Sequence, residues 1–439
     1  GYGKVQPELV KRFEDFIEIK SNGIIFDRKR YGFTSVNLQK IKPKEYNRGK
    51  IFNSYPSDTN ILRVSSSYLP HDIAATGEMV FVNSILSLLK QLKKYTKLKK
   101  IVFSGGIFQN VSLNNSILES GIFEHVYFPM ASADSGLSLG AALFIENKYK
   151  KRKRKTLLTP LLGPSFSDIE IKKLLDQSRI KYVKDNHIEK TVAKLINDGK
   201  TVGWFQGRAE YGPRSLGSRS ILADPRKFES KSRINQLLKK RDWFMPYAPS
   251  ILEEYMDEFV INPNPSPYMQ IAFKIKDNKK NSIPAAVHVD GTSRIHTVSK
   301  TVNPKYWNLI NEFRLLTGLP IVLNTSFNRH HIPTISEPRQ ALEHLLDGCM
   351  DYLAINDYLI SFDDNRIATE PFKNEETESY SLKRDCIKRL VTLLEIEKDK
   401  KSIIQYVKNL SKLLNTDLSF DGQTFKLEGK NVKQSEIQN

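Results

Sequence analysis

Apolar and polar positions along the first third of the chain switch between two periods. Val82, Ile85, Leu86 and Leu89 recur at i, i+3, i+4 and i+7, which places them on one face of a helix. The apolar run 101–103 is closed by Ser104-Gly105-Gly106 and predicts a short buried strand. A helix follows over 110–118, a second short strand over 126–128, a small-residue loop over 131–136 and an apolar helix over 137–145. Strand, glycine-bearing turn and helix in repetition is the order of an α/β nucleotide-binding domain.

Residues 148–155, Lys-Tyr-Lys-Lys-Arg-Lys-Arg-Lys, repel one another and predict a basic linker between domains. Beyond it, Ser167 caps a helix through 175, and a strand at 182–183 precedes a helix over 188–196 that Gly199 ends. Strands are expected at 202–205, 284–289 and 320–323, and a helix over 337–346. This second part is mixed α+β. In the remainder, Ile387, Leu390, Val391 and Leu394 mark an amphipathic helix, and Asp421-Gly422 between two apolar triplets marks a hairpin. The last ten residues read as disordered. The expected organisation is an α/β domain over 1–147, the linker 148–155, an α+β domain over 156–365 and a tail over 366–439 of unknown role.

Charge changes the picture of partners. Lys and Arg total 68 against 49 acids, a net +19 over 439 residues. Such an excess attracts polyanions, yet patterns such as Lys90-Gln91-Leu92-Lys93-Lys94 are ordinary surface, so a specific nucleic-acid partner is the less favoured reading. No apolar run near the roughly 18 residues of a membrane span stands out, and no secretory leader pattern is present, so no membrane partner is expected. The only cysteines are Cys349 and Cys386, without a Cys-x-x-Cys motif, which fits a reducing cytoplasm.

Candidate chemistry sits where the predicted strands end. Residues 206–220 hold Arg208, Glu210, Arg214 and Arg219 among several glycines. Glycine lets backbone N–H groups approach an anion and Arg offers bidentate donors to phosphate. Glu210 could hold Mg²⁺ or fix an arginine, and a structural Arg–Glu network is the competing reading. Lys239 and Arg241, two apart in a segment read as extended, share a side and could neutralise a phosphate. His288 and Asp290 share a strand face ahead of Thr292 and Arg294; a metal pair and a hydrogen-bonded pair explain them equally. Asn324, Thr325, Ser326 and Asn328 close the strand at 320–323 with amides and hydroxyls. Gly105 and Gly106 permit close approach of a nucleotide. Asp134 is placed for a metal or a ribose hydroxyl, or for a helix cap.

At this point the residues resemble a known family. Val202 to Arg226, with Lys239, Arg241, His288-Val289-Asp290-Gly291-Thr292 and Asn324 to Asn328 in order, resembles the signature of the NodU/CmcH family of O-carbamoyltransferases, which includes the tobramycin carbamoyltransferase. The resemblance covers about residues 1–365. It implies a partial actin-like ATPase-fold domain, similar to the threonylcarbamoyl-transfer enzyme of tRNA, followed by a YrdC-like domain. Ser104-Gly105-Gly106, Asn110 and Asn114 look like the nucleotide motif of the first domain, and residues 129–134 look like its metal-and-phosphate loop. Lys239, Arg241, Ser326 and Asn328 look like the Lys-x-Arg and Ser-x-Asn motifs of YrdC proteins. The implied chemistry joins carbamoyl phosphate and ATP, with Mg²⁺, into carbamoyladenylate and passes the carbamoyl group to an acceptor alcohol. The match starts midway through the family's first domain, without its two metal-binding histidines. The chain is therefore expected to be a C-terminal portion or a subunit with an N-terminal partner chain, incomplete alone for the transfer step. Iron would need ligands from that absent part, and a homodimer is left open. Met245 stands where the family has an arginine. A decayed homologue that binds nucleotide or RNA through its basic surface is the alternative.

Overall fold

In a computed structural model of the protein, the described residues are 3–15, 17–20, 23–26, 67–150, 159–239, 247–329, 332–365, 390, 400–414, 417–421, 424–427 and 430–432. Arg241, Met245, most of the basic run 148–155 and most of the helix read around 387–394 lie outside them. The chain divides into two compact units, Gly1–Lys97 with Glu378–Asn439, and Leu98–Thr377. These divisions differ from the boundaries read at 148–155 and at 366. The segment after Leu98 shares a compact unit with the α+β part, because Met130 and Ala131 are buried in one cluster with Leu216, Ala248, Tyr268 and Met269.

In the first unit, the helices Pro7–Glu14 and Pro70–Thr96 accompany an antiparallel pair, Ile17–Lys20 with Gly23–Phe26. The helix Pro70–Thr96 starts on a proline, carries Asp72 in its first turn and ends on Lys93 and Lys94, each favourable to the helix dipole. By length and composition it is apolar enough to cross a membrane, which the 82–89 pattern did not reveal. The helix Lys400–Leu414, which the periodicity reading passed over, buries Ile403, Tyr406, Val407 and Leu410 against Leu418 and Phe425. The expected hairpin forms from Leu418–Phe420 and Phe425–Leu427, with the rings of Phe420 and Phe425 stacked 4.3 Å apart.

The second unit is built on eight strands: β1 (Val183–Lys184), β2 (Val202–Phe205), β3 (Arg219–Ala223), β4 (Ala248–Leu252), β5 (His296–Val298), β6 (Ile321–Ser326), β7 (Tyr352–Ile355) and β8 (Tyr358–Ser361). They lie in the order β5-β4-β6-β3-β2-β7-β8-β1. Only β5–β4 and β2–β7 are parallel; the other neighbours are antiparallel. Strands β2, β3 and β4 are buried along their length, as near-continuous apolar runs require when both sheet faces are covered. On one face Val202 and Trp204 meet Val192 and Ile196 of the helix Ile188–Asn197 and Ile310 and Phe313 of the helix Pro304–Thr317. On the other, Gly203 leaves room for Phe327 and Met350; a Cβ there would sit 2.4 Å from the Met350 sulfur.

Several sequence expectations match: the strand at 202–205, the helix over 188–196 and the helix beginning after Glu337. The strand read at 284–289 does not form. Asp290 Oδ1 accepts from the backbone N–H of Thr292, and Gly291 takes φ +78°, so the chain turns and the strand begins only at Thr292. The segment before β1 carries the expected pieces: parallel strands Lys100–Val102 and His125–Tyr127, and helices Val111–Glu119 and Gly136–Lys150. The described architecture is mixed α/β.

Candidate functional site

The loop between β2 and β3 contains the densest run of expected site residues, and its geometry divides them by role. Glu210 Oε1 accepts from three backbone N–H groups, Leu216 at 2.8 Å, Ser218 at 2.7 Å and Arg219 at 3.0 Å. One carboxylate oxygen therefore closes the loop on itself. The Arg219 side chain is fully buried beneath it. Its guanidinium donates to the carbonyls of Gln206, Gly207, Ser218 and Pro164 and stacks on Phe205, 3.6 Å to the ring centroid. Burial pushes its pKa down to about 10, with Glu210 acting in the opposite direction. Arg208 likewise donates to the carbonyls of Gly163 and Leu162, 3.0 and 2.6 Å away. These two arginines clamp backbone. Arg214, half-buried, reaches the carbonyl of Gln109 at 3.4 Å, so it stands beside the loop that follows Gly105 and Gly106.

Lys239 does not lie in an extended segment. It ends a π-helical turn, Asn235–Lys239, which follows the short helix Phe228–Ile234. A π turn re-aims one side chain relative to an α-helix, a device common at functional sites. The re-aimed side chain is fully buried and its Nζ meets both carbonyl and side-chain oxygens of two residues: Ser326 O at 2.7 Å, Ser326 Oγ at 3.1 Å, Asn328 O at 2.7 Å and Asn328 Oδ1 at 2.6 Å. Ser326 Oγ donates in turn to Asn328 Oδ1. These four oxygens are neutral acceptors that orient the ammonium. The structure thus brings Lys239 to two residues that lie more than eighty positions away in the sequence.

Behind this cluster, β6 aims Asn324 into the interior. Its Nδ2 donates to Ser215 O at 3.0 Å and to Ser250 Oγ at 2.9 Å, while its buried Oδ1 has no hydrogen-bond partner. Ser250 Oγ is 2.9 Å from His296 Nδ1, and His296 stacks on Tyr306. Burial holds the His296 pKa at about 3 and raises that of Tyr306. Ser250, His296 and Tyr306 were not foreseen; no spacing rule links three elements so far apart. Thr325 is buried on β6 opposite Ile221.

The 288–292 turn is a closed hydrogen-bond set. Thr292 Oγ1 donates to Asp290 Oδ1 at 2.7 Å and lies 3.0 Å from His288 Nδ1. Asp290 and His288 therefore face each other through Thr292, not side by side on a strand. Arg294 is half-buried on the strand that follows.

The residues expected to form a nucleotide motif before β1 have mixed placements. Gly105, at φ +126°, and Gly106 face open space where a side chain would stand. Asn110 caps the helix Val111–Glu119, its Oδ1 accepting from Ser112 and Leu113. Asn114 is fully buried and donates to Phe108 O at 2.8 Å and Gln270 O at 2.9 Å. Tyr211 OH donates to Ser135 O and lies 2.7 Å from Ser138 Oγ, so the arginine loop touches the 131–136 loop as well. Asp134 in that loop is exposed, and among the described residues no group of three metal-ligating side chains occurs. The described residues alone do not supply the about three protein ligands that a resident catalytic metal needs.

Two family models match the chain: one described as carbamoyltransferase N-terminus over residues 2–143, and one described as carbamoyltransferase C-terminus over residues 193–361. The nodulation protein NolNO of Sinorhizobium fredii (strain NBRC 101917 / NGR234) is 37% identical over 296 residues, which is 66% of this chain and 44% of that protein. The nodulation protein NolO of Bradyrhizobium diazoefficiens is 35% identical over 296 residues, 66% of this chain and 54% of that one. A crystal structure of full-length HypF in its phosphate- and nucleotide-bound form is 21% identical, with 41% of this chain and 22% of that chain covered at a TM-score of 0.28. The chain spans about half the length of the curated relatives it matches.

Proposed function

The chain belongs to the carbamoyltransferase family, and from that premise we propose that its Leu98–Thr377 unit performs the activating half of an ATP-dependent O-carbamoyl transfer. In this reading water cleaves the carbamoyl–phosphate bond and inorganic phosphate leaves. The carbamate oxygen attacks the α-phosphorus of ATP, pyrophosphate is expelled, and carbamoyladenylate remains. Transfer to an acceptor alcohol, with AMP released, belongs to the whole family protein and draws on residues beyond those described here. The YrdC-like assignment of the β1–β8 sheet is part of the same proposal.

The observation that supports it best is the convergence of Lys239 with Ser326 and Asn328 at the end of β6. An ammonium already oriented by fixed dipoles needs no reorganisation when charge grows on a phosphate, and this is the largest common source of rate enhancement. In this reading Asn324, with a spare buried acceptor two residues before Ser326, and Arg214, next to the Ser215 carbonyl that Asn324 bonds, supply further polar groups. Arg208 and Arg219 shape the loop that holds Arg214. Mg²⁺ accompanies ATP as a substrate ion in this scheme, and no step depends on a protein-bound metal.

The test is carbamoyl-phosphate-dependent release of pyrophosphate from ATP by the full chain. Release by the natural chain and its loss in Lys239→Ala, by at least the 10²–10³-fold that one preorganised donor is worth, is the expected outcome. Equal release by both chains overturns the proposal.

A further inference from the structure

Asn324 carries more than the end of a strand needs. It is buried on β6, and its Nδ2 donates both hydrogens to groups from two other segments, Ser215 O at 3.0 Å and Ser250 Oγ at 2.9 Å. Ser215 follows Arg214 in the arginine loop, and Ser326, two residues after Asn324 on the same strand, holds Lys239. One amide therefore joins the loop that carries one cation to the strand end that holds another. An apolar residue at 324 would fill the core with less desolvation of polar groups, so the amide is explained by what it ties together.

The amide is in turn held from behind. Ser250 on β4 lies opposite His296 on β5 in the parallel register of the two strands, and its Oγ is 2.9 Å from His296 Nδ1. A serine hydroxyl has three staggered positions to choose from. With His296 on one side and Asn324 on the other, one of them is fixed. The His296 ring stacks on Tyr306, 6.2 Å between centroids and 17° between planes, and Tyr306 is buried on the helix Pro304–Thr317. The next residues of the arginine loop are anchored separately: Glu210 takes the N–H groups of Leu216, Ser218 and Arg219, and Trp204 Nε1 donates to Gly217 O at 3.1 Å. The bond from Asn324 to Ser215 O is the tie adjacent to Arg214.

We propose that Ser250 and His296 are positioning residues for the activating step: through the Asn324 amide they fix the loop of Arg214 against the strand end that holds Lys239, without contacting substrate. The reaction they serve rests on the proposed function; the line of contacts from Tyr306 to Ser215 does not.

The experiment is steady-state, carbamoyl-phosphate-dependent release of pyrophosphate from ATP by the full chain, read as kcat and KM beside the melting temperature of each variant. Ser250→Ala and His296→Leu should each lower kcat about 10–100-fold, the scale of a small displacement of a catalytic group. KM for ATP should stay within about twofold, as for an interaction that matters in the transition state. The double variant should lose little more than the worse single one, because both changes break the same tie. His296→Gln keeps a polar group toward Ser250 Oγ and should recover most of the rate. Ile196→Val removes one methylene from the core at the helix Ile188–Asn197; it should lower the melting temperature slightly and leave kcat unchanged. Full kcat in Ser250→Ala, a loss in His296→Leu that His296→Gln does not reverse, or additive losses in the double variant would each overturn the role. A natural chain that releases no pyrophosphate refutes the proposed reaction and this role with it. A natural chain that releases it no faster than Ser250→Ala refutes the role alone.

Discussion

Replacing Glu210 separates a ligand-binding loop from a self-supporting one. Its Oε1 takes three backbone N–H groups at 2.7–3.0 Å, from residues 216, 218 and 219. Leu216, Ser218 and Arg219 are buried, so Glu210→Ala leaves donors that water cannot easily reach. Each hydrogen bond to a charged acceptor is worth about 1.5–3 kcal/mol, but three on one oxygen share its lone pairs, and a total of about 3–5 kcal/mol is the reasonable sum. The buried Arg219 also loses the carboxylate that supports its charge. Glu210→Gln keeps an oxygen acceptor and should cost about 1–2 kcal/mol. For a unit of this size about 2–4 °C of melting temperature corresponds to 1 kcal/mol. The alanine variant should therefore melt about 6–20 °C lower. The three tryptophans, Trp204, Trp243 and Trp307, all belong to the Leu98–Thr377 unit, so tryptophan fluorescence follows its unfolding alone. An alanine variant that melts with the natural chain, yet fails to bind ATP, would return Glu210 to the role of a ligand to substrate or magnesium.

Other outcomes follow from single contacts. Gly217→Ala should destabilise the loop that leads into β3 at the centre of the sheet, because at φ +91° its Cβ would lie 2.1 Å from the Tyr306 ring; a loss of about 3 kcal/mol or more is expected in urea unfolding, and a near-neutral result would contradict the packing. Gly203→Ala should cost about 1–3 kcal/mol by overpacking, with the clash at Met350 and Phe327, and Met350→Ala should restore part of it. His296 is held neutral by burial, its folded pKa of about 3 below the ordinary 6.5. The unfolded chain therefore binds the extra proton first, and stability present above pH 6.5 falls as pH drops toward 3. Between pH 7 and 5 the loss should be about 2 kcal/mol from this residue, and a His296→Gln chain that shows the same pH slope would exclude His296 as its source.

Near-neighbour physics was legible in the sequence. Ser167 does cap its helix, a helix does follow Asn110, the strand at 202–205 forms and is buried, and the hairpin around Asp421 pairs in register. Each depends on periodicity or on hydrogen bonds within a few residues, which the order of side chains fixes. The types of groups gathered at the strand ends were legible for the same reason. Their roles were not. Arg208, Arg214 and Arg219 look alike along the chain, but Arg219 is buried and bonded to four backbone carbonyls, Arg208 is exposed and bonded to two, and Arg214 is half-buried and reaches that of Gln109. Lys239 reaches Ser326 and Asn328 from the end of a π turn that no pattern announced. The 284–289 run reads as a strand, and a turn built by Asp290 and Gly291 overrode it. What a charged side chain can do depends on whether it is desolvated and which distant dipoles meet it, and those quantities exist only once the chain has folded.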